Sequence, residues 1–563
     1  MERKAIKIPI EKYEKDLETE FSKDKKNEIL DLLTNANQLF YIDDFEEIEY
    51  KLHEACKNGD IELIKIYLSP YIQNETKDMR FKIDKTSKTA SLLEVDDSIR
   101  QLVIPRSVQY ESTEYLITSV IGTNCSIKTR LRRFGAFQYS KIEEIYIPPS
   151  LKELKGGWCY ETAYLNKIII SHSNGQFIFK DDKYLLCKTD PNSDEFDNFL
   201  FAVPYINEIS IPSNIKIISP HAFYNCRHLT KVEISPDSNL QTIGIKAFQN
   251  TNIKEIFIPS KVTKICEKAF SNCFELTKVE IPPDSNLQTI ENYAFESIKI
   301  KEFYFPPCLK ELKEGLCYET DSLEKIIISP LNGQFIFKDD KYLLGKTDPN
   351  SDEFDNLIFA VRKIKNFSIP SNFKIISPHA FYNCRHLTKV EISPDSNLQT
   401  IGIRAFQNTN IEEIFIPSKV TKICEFAFGK CDNLIKVEIP TNSNLQTIKE
   451  YAFYRSNIER IYIPSNVKII SSHAFYSCKK IQKIEIPPNS QLQTINSDAF
   501  SYSQIKEFFI PSKVSTINNN AFYSCENLQI VEISEKSELE SFPLAAFEYC
   551  TNVIFMIPSS LGN

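Results

Sequence analysis

The dipeptide Ala-Phe recurs at nearly fixed intervals along the chain, and this repetition restricts the fold more than any other feature. Copies begin at positions 222, 247, 269, 294, 380, 405, 427, 452, 474, 499, 521 and 546, with a divergent earlier copy at 136. Consecutive spacings alternate between 25 and 22 residues, so a unit of 47 residues that contains two coils has been copied. A larger block, 141–270, matches 299–428 at an offset of 158 residues. Such a chain is expected to stack its coils into a solenoid, because no single coil can cover its own apolar edge.

Each coil contains one short apolar run with the spacing L-x-x-L-x-L. The run is Leu229, Val232 and Ile234 in a longer coil, and Ile253, Ile256 and Ile258 in a shorter one. Its last two apolar positions alternate as in a strand, and the residue between them faces outward. A proline often follows and ends the strand, because it cannot donate a ladder hydrogen bond. The pattern predicts a β-rich leucine-rich-repeat solenoid with short helical turns, an α/β horseshoe-like architecture with a parallel sheet on one face.

The consensus "IPSxVxxIxxxAFxxCxxLxxIxI" resembles the BspA-type leucine-rich repeat family, which occurs in bacterial surface proteins and in protists such as trichomonads and Entamoeba. The resemblance spans about 78–560, within a predicted solenoid domain of 78–563. Two longer coils, 174–212 and 332–370, resemble the family's hairpin-containing unit, and 81–120 resembles its opening coil. The resemblance implies a surface antigen that adheres to host cells or matrix.

Residues 1–77 lack the repeat and carry apolar positions at helical spacing, so we predict helices there. Leu52, His53 and Ala55 match the L-H-x-A of an ankyrin repeat. One ankyrin-like unit cannot fold alone. These helices are therefore expected to form a small all-α cap on the first coil, and a separate partner-binding module is the alternative.

Candidate nucleophiles and metal ligands recur with the repeat instead of marking one coil. His221, His379 and His473 each precede a cysteine by five residues, so a Cys/His metal site is conceivable. Coils without these histidines keep the rest of the pattern. Duplication of the coils therefore explains the recurrence of the histidines more simply than a metal site does. Seven cysteines lie three residues after the phenylalanine, the place of a small packed side chain: Cys226, Cys273, Cys384, Cys431, Cys478, Cys525 and Cys550. No nucleotide-binding, hydrolase or zinc-protease motif occurs. The sequence predicts no enzyme, no cofactor and no metal.

The outward position of the strand alternates between glutamate and an aromatic residue from coil to coil. The residues are Glu233, Phe257, Glu280, Tyr304, Glu391, Phe415, Glu438, Tyr462, Glu485, Phe509 and Glu532. We call this set the sheet-face stripe. The residue two places earlier alternates in charge, which predicts opposite charges on neighbouring strands. Rings exposed on every second strand, about 10 Å apart, predict an interaction surface. The alternative is that they only shield the sheet.

Charge and composition restrict the classes of partner and the cellular compartment that the sequence predicts. A net charge of -8 disfavours binding to nucleic acid. The sequence contains no run of about 18 apolar residues, so no membrane span is predicted. The charged N-terminus does not read as a secretory signal, and fifteen cysteines without a CxxC pair fit a reducing compartment.

These features predict a non-enzymatic scaffold or adhesin that binds a protein, with a host or cell-surface protein or glycan as the expected kind of partner. An intracellular adaptor with ankyrin-like helices is the alternative. The expected location is cytoplasmic, with unconventional export to the cell surface as the other possibility.

Overall fold

The computed structural model describes residues 79–121, 135–171, 173–316, 318–539 and 544–558. The chain divides into two compact units, Met1–Leu276 and Thr277–Asn563. Each unit is a stack of coils linked by parallel strands, which confirms the β-solenoid predicted from the repeat.

One strand of each coil, here called the face strand, is the one predicted from the L-x-x-L-x-L run. In the first unit the face strands are Gln101–Val103, Glu144–Ile147, Lys167–Ile170, Glu208–Ile211, Lys231–Ile234 and Glu255–Phe257. In the second unit they are Lys278–Glu280, Glu302–Phe305, Lys325–Ile328, Asn366–Ile369, Lys389–Ile392, Glu413–Phe415, Lys436–Glu438, Arg460–Tyr462, Lys483–Glu485, Glu507–Ile510, Ile530–Ile533 and Ile554–Met556.

The face strands pair in parallel and in register. Ile209 lies opposite Val232, and Ile211 lies opposite Ile234. These side chains are buried, whereas Glu233 between the two positions on its strand is exposed. The alternation follows from the two-residue period of a strand, which places successive side chains on opposite faces.

A second parallel ladder, which the sequence did not predict as strands, joins the coils just before Ala-Phe. We call its members second-row strands. They are Glu153–Leu154, Ile217–Ile218, Thr242–Ile243 and Lys264–Ile265 in the first unit. In the second unit they are Thr289–Ile290, Glu311–Leu312, Ile375–Ile376, Thr400–Ile401, Lys422–Ile423, Thr447–Ile448, Ile469–Ile470, Thr494–Ile495 and Thr516–Ile517. The prediction of a single parallel sheet is therefore incomplete, because runs of two residues are too short to show periodicity.

Two longer coils carry an antiparallel hairpin, as the resemblance implied. The hairpin is extended by a third antiparallel strand. The three strands are Phe177–Lys180, Tyr184–Cys187 and Asn198–Ala202 in the first unit, and Phe335–Lys338, Tyr342–Gly345 and Asn356–Ala360 in the second. The last strand of each hairpin then pairs in parallel with a second-row strand. The opening coil contributes Met79–Asp84, Thr89–Val95, Ser107–Tyr110 and Thr113–Val120.

The core is a stacked column of phenylalanines from the Ala-Phe dipeptides. In the second unit the rings of Phe406, Phe428 and Phe453 stack at centroid distances of 5.2 and 5.3 Å. All three rings are fully buried, as are the alanines that precede them. Each ring therefore receives its packing partners from the two neighbouring coils, which confirms the predicted stacking.

The predicted helical turns are wrong for the described residues, which form hydrogen-bonded turns and one short 3-10 helix, Leu544–Phe547. His379 and Asn383 flank Ala-Phe-Tyr and both have left-handed φ angles, 63° and 58°. The N–H groups of His379 and Phe381 donate to the next coil, to Ile403 O at 2.9 Å and to Ala405 O at 2.8 Å. A helix would use these donors within itself, so the two left-handed residues exchange helical bonds for bonds between coils.

Candidate binding surfaces of the solenoid

In the second unit the sheet-face stripe forms aromatic and acidic pairs that lie directly opposite each other on adjacent strands. The Cα partners are Phe415 and Glu438, Tyr462 and Glu485, and Phe509 and Glu532. The glutamates are exposed and the aromatic side chains are partly exposed. The rings therefore lean on the sheet but still present one surface to solvent.

The other stripe residues lie where the strand pattern placed them, but not all of them alternate. Glu233 and Phe257 are on consecutive face strands of the first unit, and Glu280 begins the second. Tyr304 lies opposite Ile327, and Glu391 lies opposite Ser368. The alternation is thus interrupted at the hairpin coil, and its longest run is 391–532.

The C-terminal end of this run contains a shallow concavity of about 430 Å³. Tyr462, Glu485, Phe509 and Glu532 line it, together with Lys483, Glu507 and Ile530. The structure therefore brings four stripe residues from four coils into one open site.

The register brings opposite charges onto neighbouring strands in several coils, as predicted, since Glu413 and Lys436 are Cα partners. Many of the lysines also form an ion pair with the glutamate two residues later on their own strand, as in Lys436–Glu438 at 2.5 Å and Lys483–Glu485 at 3.1 Å. Both side chains of such a pair point to the same face, because side chains two residues apart lie on one side of a strand. The pKa of Lys436 is raised, chiefly by its hydrogen bond with Glu438.

Comparison with known proteins matches the repeat to one family. A family model described as BspA type leucine rich repeat region (6 copies) matches residues 96–186, 194–324, 352–481 and 446–563. The chain belongs to the BspA-type leucine-rich repeat family. Among curated proteins nothing matches.

Three solved structures are similar to this BspA-type chain at low identity. The pneumococcal vaccine antigen PcpA is 17% identical, with 86% of this chain and 92% of that chain covered and a TM-score of 0.38. A leucine rich cell surface protein from Faecalibacterium prausnitzii is 19% identical, with 86% and 93% covered and a TM-score of 0.35. A leucine-rich repeat protein from Eubacterium ventriosum is 19% identical, with 60% and 92% covered and a TM-score of 0.45. Likenesses this distant carry no argument about function.

The cysteines of this BspA-type solenoid occupy the packed positions that the sequence predicted. Cys273 and Cys431 are fully buried, and the Sγ of Cys431 donates to Phe406 O at 3.1 Å. Burial raises the pKa of both thiols to about 12. A nucleophilic cysteine needs a lowered pKa and access to solvent, so these two thiols are unreactive.

The three candidate histidines lie in different environments. His221 and His379 are buried, and desolvation lowers the pKa of each to about 3. The Nε2 atom of His473 lies 3.7 Å from the Asp498 carboxylate. Within the described ranges no group of three or more His, Cys, Asp or Glu residues could hold a metal ion, and no helix is long and apolar enough to cross a membrane.

The sequence reasoning missed a second surface on the BspA-type solenoid, formed by the turns around Ala-Phe. It consists of the residue before the alanine and the residue after the phenylalanine of each coil, which are buried in some coils, as at His379 and Gln407, and partly exposed in others, as at Phe426 and Tyr451. In the second unit many of these residues are aromatic. Phe426, Tyr451 and His473 stack in consecutive coils at 4.5 Å. We call this column and its flanking side chains the turn ridge. The sequence contained a signal for this surface, because the residues before and after the recurring Ala-Phe vary from coil to coil.

The ankyrin-like motif at Leu52 lies outside the described residues.

Proposed function

We propose that the chain is a non-enzymatic protein-binding scaffold that contacts its partner through the sheet-face stripe of the second unit. The observation that carries the proposal is the run of ring and carboxylate pairs held in register between Phe415 and Glu532. Aromatic residues on a rigid face contribute large contact areas at small entropic cost, which is why they are enriched in protein interfaces.

The charges of the stripe favour a partner segment that is both apolar and basic. Lys483 neutralises Glu485 at 3.1 Å, whereas Glu507 and Glu532 make no ion pair with any residue that the structure describes. Both line the concavity beside Phe509. A lysine or arginine of the partner would find unpaired carboxylates next to an aromatic ring, and complementary charge raises association rates.

A scaffold function is also supported by the chemistry of the interior. Six of the seven repeat cysteines are buried thiols with raised pKa values, whereas the pKa of the partly buried Cys550 is lowered by its hydrogen bond with Cys525. The two buried histidines are neutral at physiological pH. Stripe residues differ from these groups in facing solvent. Recognition therefore uses the surface that the coils share, and adhesion is the finer form of this proposal that the family resemblance suggests.

The test replaces Phe415, Tyr462 and Phe509 with serine in one variant. Partners are identified by cross-linking to the wild-type chain, purified, and measured for affinity against both proteins. We expect the triple variant to bind at least about tenfold more weakly, since loss of one buried ring costs about 2 kcal/mol at an interface hot spot. A matched variant with Tyr454, Tyr476 and Tyr523 of the turn ridge changed to serine is expected to keep its affinity. Equal affinity of the stripe variant and wild type for every purified partner would exclude the sheet face.

The cellular location is a further part of the proposal and has its own test. Free buried thiols such as Cys273 and Cys431 fit a reducing cytoplasm, whereas the family resemblance suggests display at the surface. Labelling intact cells with an amine reagent that does not cross membranes separates the two. Modification of exposed lysines in intact cells supports display, and modification only after lysis supports the cytoplasm.

A further inference from the structure

The turn ridge of the second unit contains a continuous stack of planar groups with an arginine inside it. The Arg404 guanidinium lies 5.7 Å from the ring centre of Tyr318 and 5.2 Å from that of Phe426. Its Nη1 atom donates to the Tyr318 hydroxyl at 2.6 Å. Phe426, Tyr451 and His473 continue the stack. Stacking fixes the guanidinium plane, so the remaining N–H donors are held in a constant direction.

A concavity of about 590 Å³ opens beside this stack. Gln407, Phe426, Lys430, Tyr451 and Tyr454 are among the residues that line it. In the repeat register Gly429 occupies the place between Gln407 of the preceding coil and Tyr454 of the following coil, and it contributes no side chain. The ridge therefore has one place where a ring of a ligand could lie against aromatic side chains.

A buried amide without a complete set of partners lines the concavity. Gln407 is only 7% exposed, and its Oε1 atom has no hydrogen-bond partner. Its equivalent in the first unit, Gln249, also has an unpartnered Oε1, but its Nε2 donates to Ser271 Oγ at 3.4 Å. Gly429 stands in the place of Ser271 and removes that hydroxyl. A buried amide oxygen without a donor is unfavourable, and a hydroxyl group of a ligand would supply the missing donor.

The duplicated copies of this region differ almost only on the ridge. Residues 221–270 and 379–428 differ at three of their positions: Lys246 and Arg404, Lys254 and Glu412, and Lys268 and Phe426. The first and third pairs occupy the ridge place before Ala-Phe. The residues of the core, of both ladders and of the turns are otherwise identical in the two copies. The arginine and the ring stack of the second copy therefore arise from substitutions at the ridge place alone.

The surroundings of the concavity are basic in a chain whose net charge is -8. Lys430 also lines a neighbouring depression with Arg385, Arg455 and Asp432. Of the carboxylates that the structure describes, none forms an ion pair with Arg385, Arg404, Lys430 or Arg455. Glu319 accepts a hydrogen bond from the Tyr382 hydroxyl at 3.4 Å, and Asp498 lies 3.7 Å from His473, so these two acids contact the walls of the concavity. The residues that line the two depressions themselves hold four cations and one acid, which favours an anionic ligand.

Three backbone N–H groups at the concavity already have partners in the next coil. Arg404 N donates to Glu425 O at 2.9 Å, and Phe426 N donates to Glu450 O at 3.0 Å. Asn408 N donates to Gly429 O at 3.1 Å. An extended peptide that adds to a sheet edge needs free backbone groups, so recognition here depends on rings, amides and cations.

We propose that this concavity binds an acidic oligosaccharide. One sugar ring packs its C–H face on Phe426 and Tyr451, because aromatic faces carry partial negative charge and C–H groups partial positive charge. Its hydroxyls bond the amides of Gln407 and Asn408. The carboxylate or sulfate group lies between Arg404 and Lys430, where Arg404 supplies a planar pair of donors. This site is separate from the sheet-face stripe and does not depend on its function.

The test measures binding of the full chain to four probes of equal length by calorimetry. The probes are a hyaluronan hexasaccharide with carboxylates, a chondroitin sulfate hexasaccharide with carboxylates and sulfates, neutral maltohexaose, and a hexaglutamate peptide. We expect one or both acidic sugars to bind at least about tenfold more tightly than maltohexaose and hexaglutamate, a difference of about 1.4 kcal/mol. The better of the two acidic sugars identifies the anionic group.

The decisive variant is Phe426→Lys, which copies Lys268 of the first unit and should fold normally. It adds a positive charge but removes the stacking ring, so we expect about tenfold weaker binding of the acidic sugar. A site based on charge alone would bind more tightly. Glu412→Lys, the matched control, adds charge away from the ridge and should leave the affinity unchanged. Gly429→Ser, which restores the hydroxyl of Ser271, should also weaken binding.

Three results would overturn the proposal. They are the absence of binding by either acidic hexasaccharide, equal binding of hexaglutamate, and undiminished binding by Phe426→Lys. The triple serine variant of the sheet-face stripe should keep its oligosaccharide affinity, so failure of one site can be told from failure of the other. Circular dichroism and urea unfolding of each variant check that the coils remain folded.

Discussion

At the scale of residues, the repeat places chemically active groups where they are inert and leaves its variable positions on the surface. Burial makes Cys431 a weak acid and His379 a weak base. The two effects have one cause, since a charged form loses its hydration inside the coil stack. The surface chemistry of the coils therefore differs mainly at partly exposed places such as Phe426 and Tyr462.

The buried histidine makes stability depend on pH. The pKa of His379 is about 3 in the folded chain, whereas an unfolded histidine has a pKa near 6.5. Between these values the unfolded state binds more protons, so stability falls as the pH is lowered through this window. We expect His379→Tyr, which copies Tyr451 of a later coil, to reduce the slope of unfolding free energy by up to about 1.4 kcal/mol per pH unit below pH 6.5.

Urea unfolding of both proteins between pH 4 and pH 7 measures this slope. His386→Gln, which replaces an exposed histidine, serves as the control for the loss of a histidine. Parallel curves for wild type and His379→Tyr would show that His379 is not protected from protonation in the folded chain.

At the scale of elements, the phenylalanine column contributes more to the packing between coils than the outward side chains of the face strands do. Phe428 is fully buried between Phe406 and Phe453, whereas Phe415 is partly exposed on the sheet face. We expect Phe428→Ala to lower the unfolding free energy by about 3–5 kcal/mol. Phe415→Ala should cost less than about 1.5 kcal/mol, because it leaves no internal cavity.

Urea unfolding followed by far-ultraviolet circular dichroism gives both values. Since each coil contacts only its neighbours, hydrogen exchange should show faster opening in the coils on either side of Phe428. Equal destabilisation by Phe415→Ala and Phe428→Ala would contradict a core built on the Ala-Phe column.

The elements that the sequence predicted well are those with a long or repeated signal. The L-x-x-L-x-L run located the face strands, because alternation over several residues in many coils leaves one interpretation. The second-row strands are two residues long and could not be told from turns. Short helices were expected around Ala-Phe because apolar spacing does not show that residues such as His221 and Asn225 take left-handed φ angles.

At the scale of the whole chain, duplication produced two versions of one design with different surfaces. The core is identical between 221–270 and 379–428, where two of the three differences are at the ridge place, such as Lys268 and Phe426. Other parts of the duplicated block also differ in buried residues, such as Trp158 and Leu316. The sequence identified the stripe residues, since their place in the strand fixes their face. It did not identify the turn ridge, because contacts among side chains of three or four coils depend on the register between coils.

The measurement that tests the account most directly is cross-linking of adjacent face strands in the second unit. Phe415 and Glu438 are Cα partners, and parallel neighbours about 4.8 Å apart can be joined by a disulfide. We expect the double variant Phe415→Cys with Glu438→Cys to form this bond under mild oxidation, as mapped by mass spectrometry, and likewise Tyr462→Cys with Glu485→Cys. Phe415→Cys with Lys436→Cys is out of register by two residues and should remain reduced. Preferential linkage of the out-of-register pair would contradict the stacked, in-register coils on which both proposed surfaces depend.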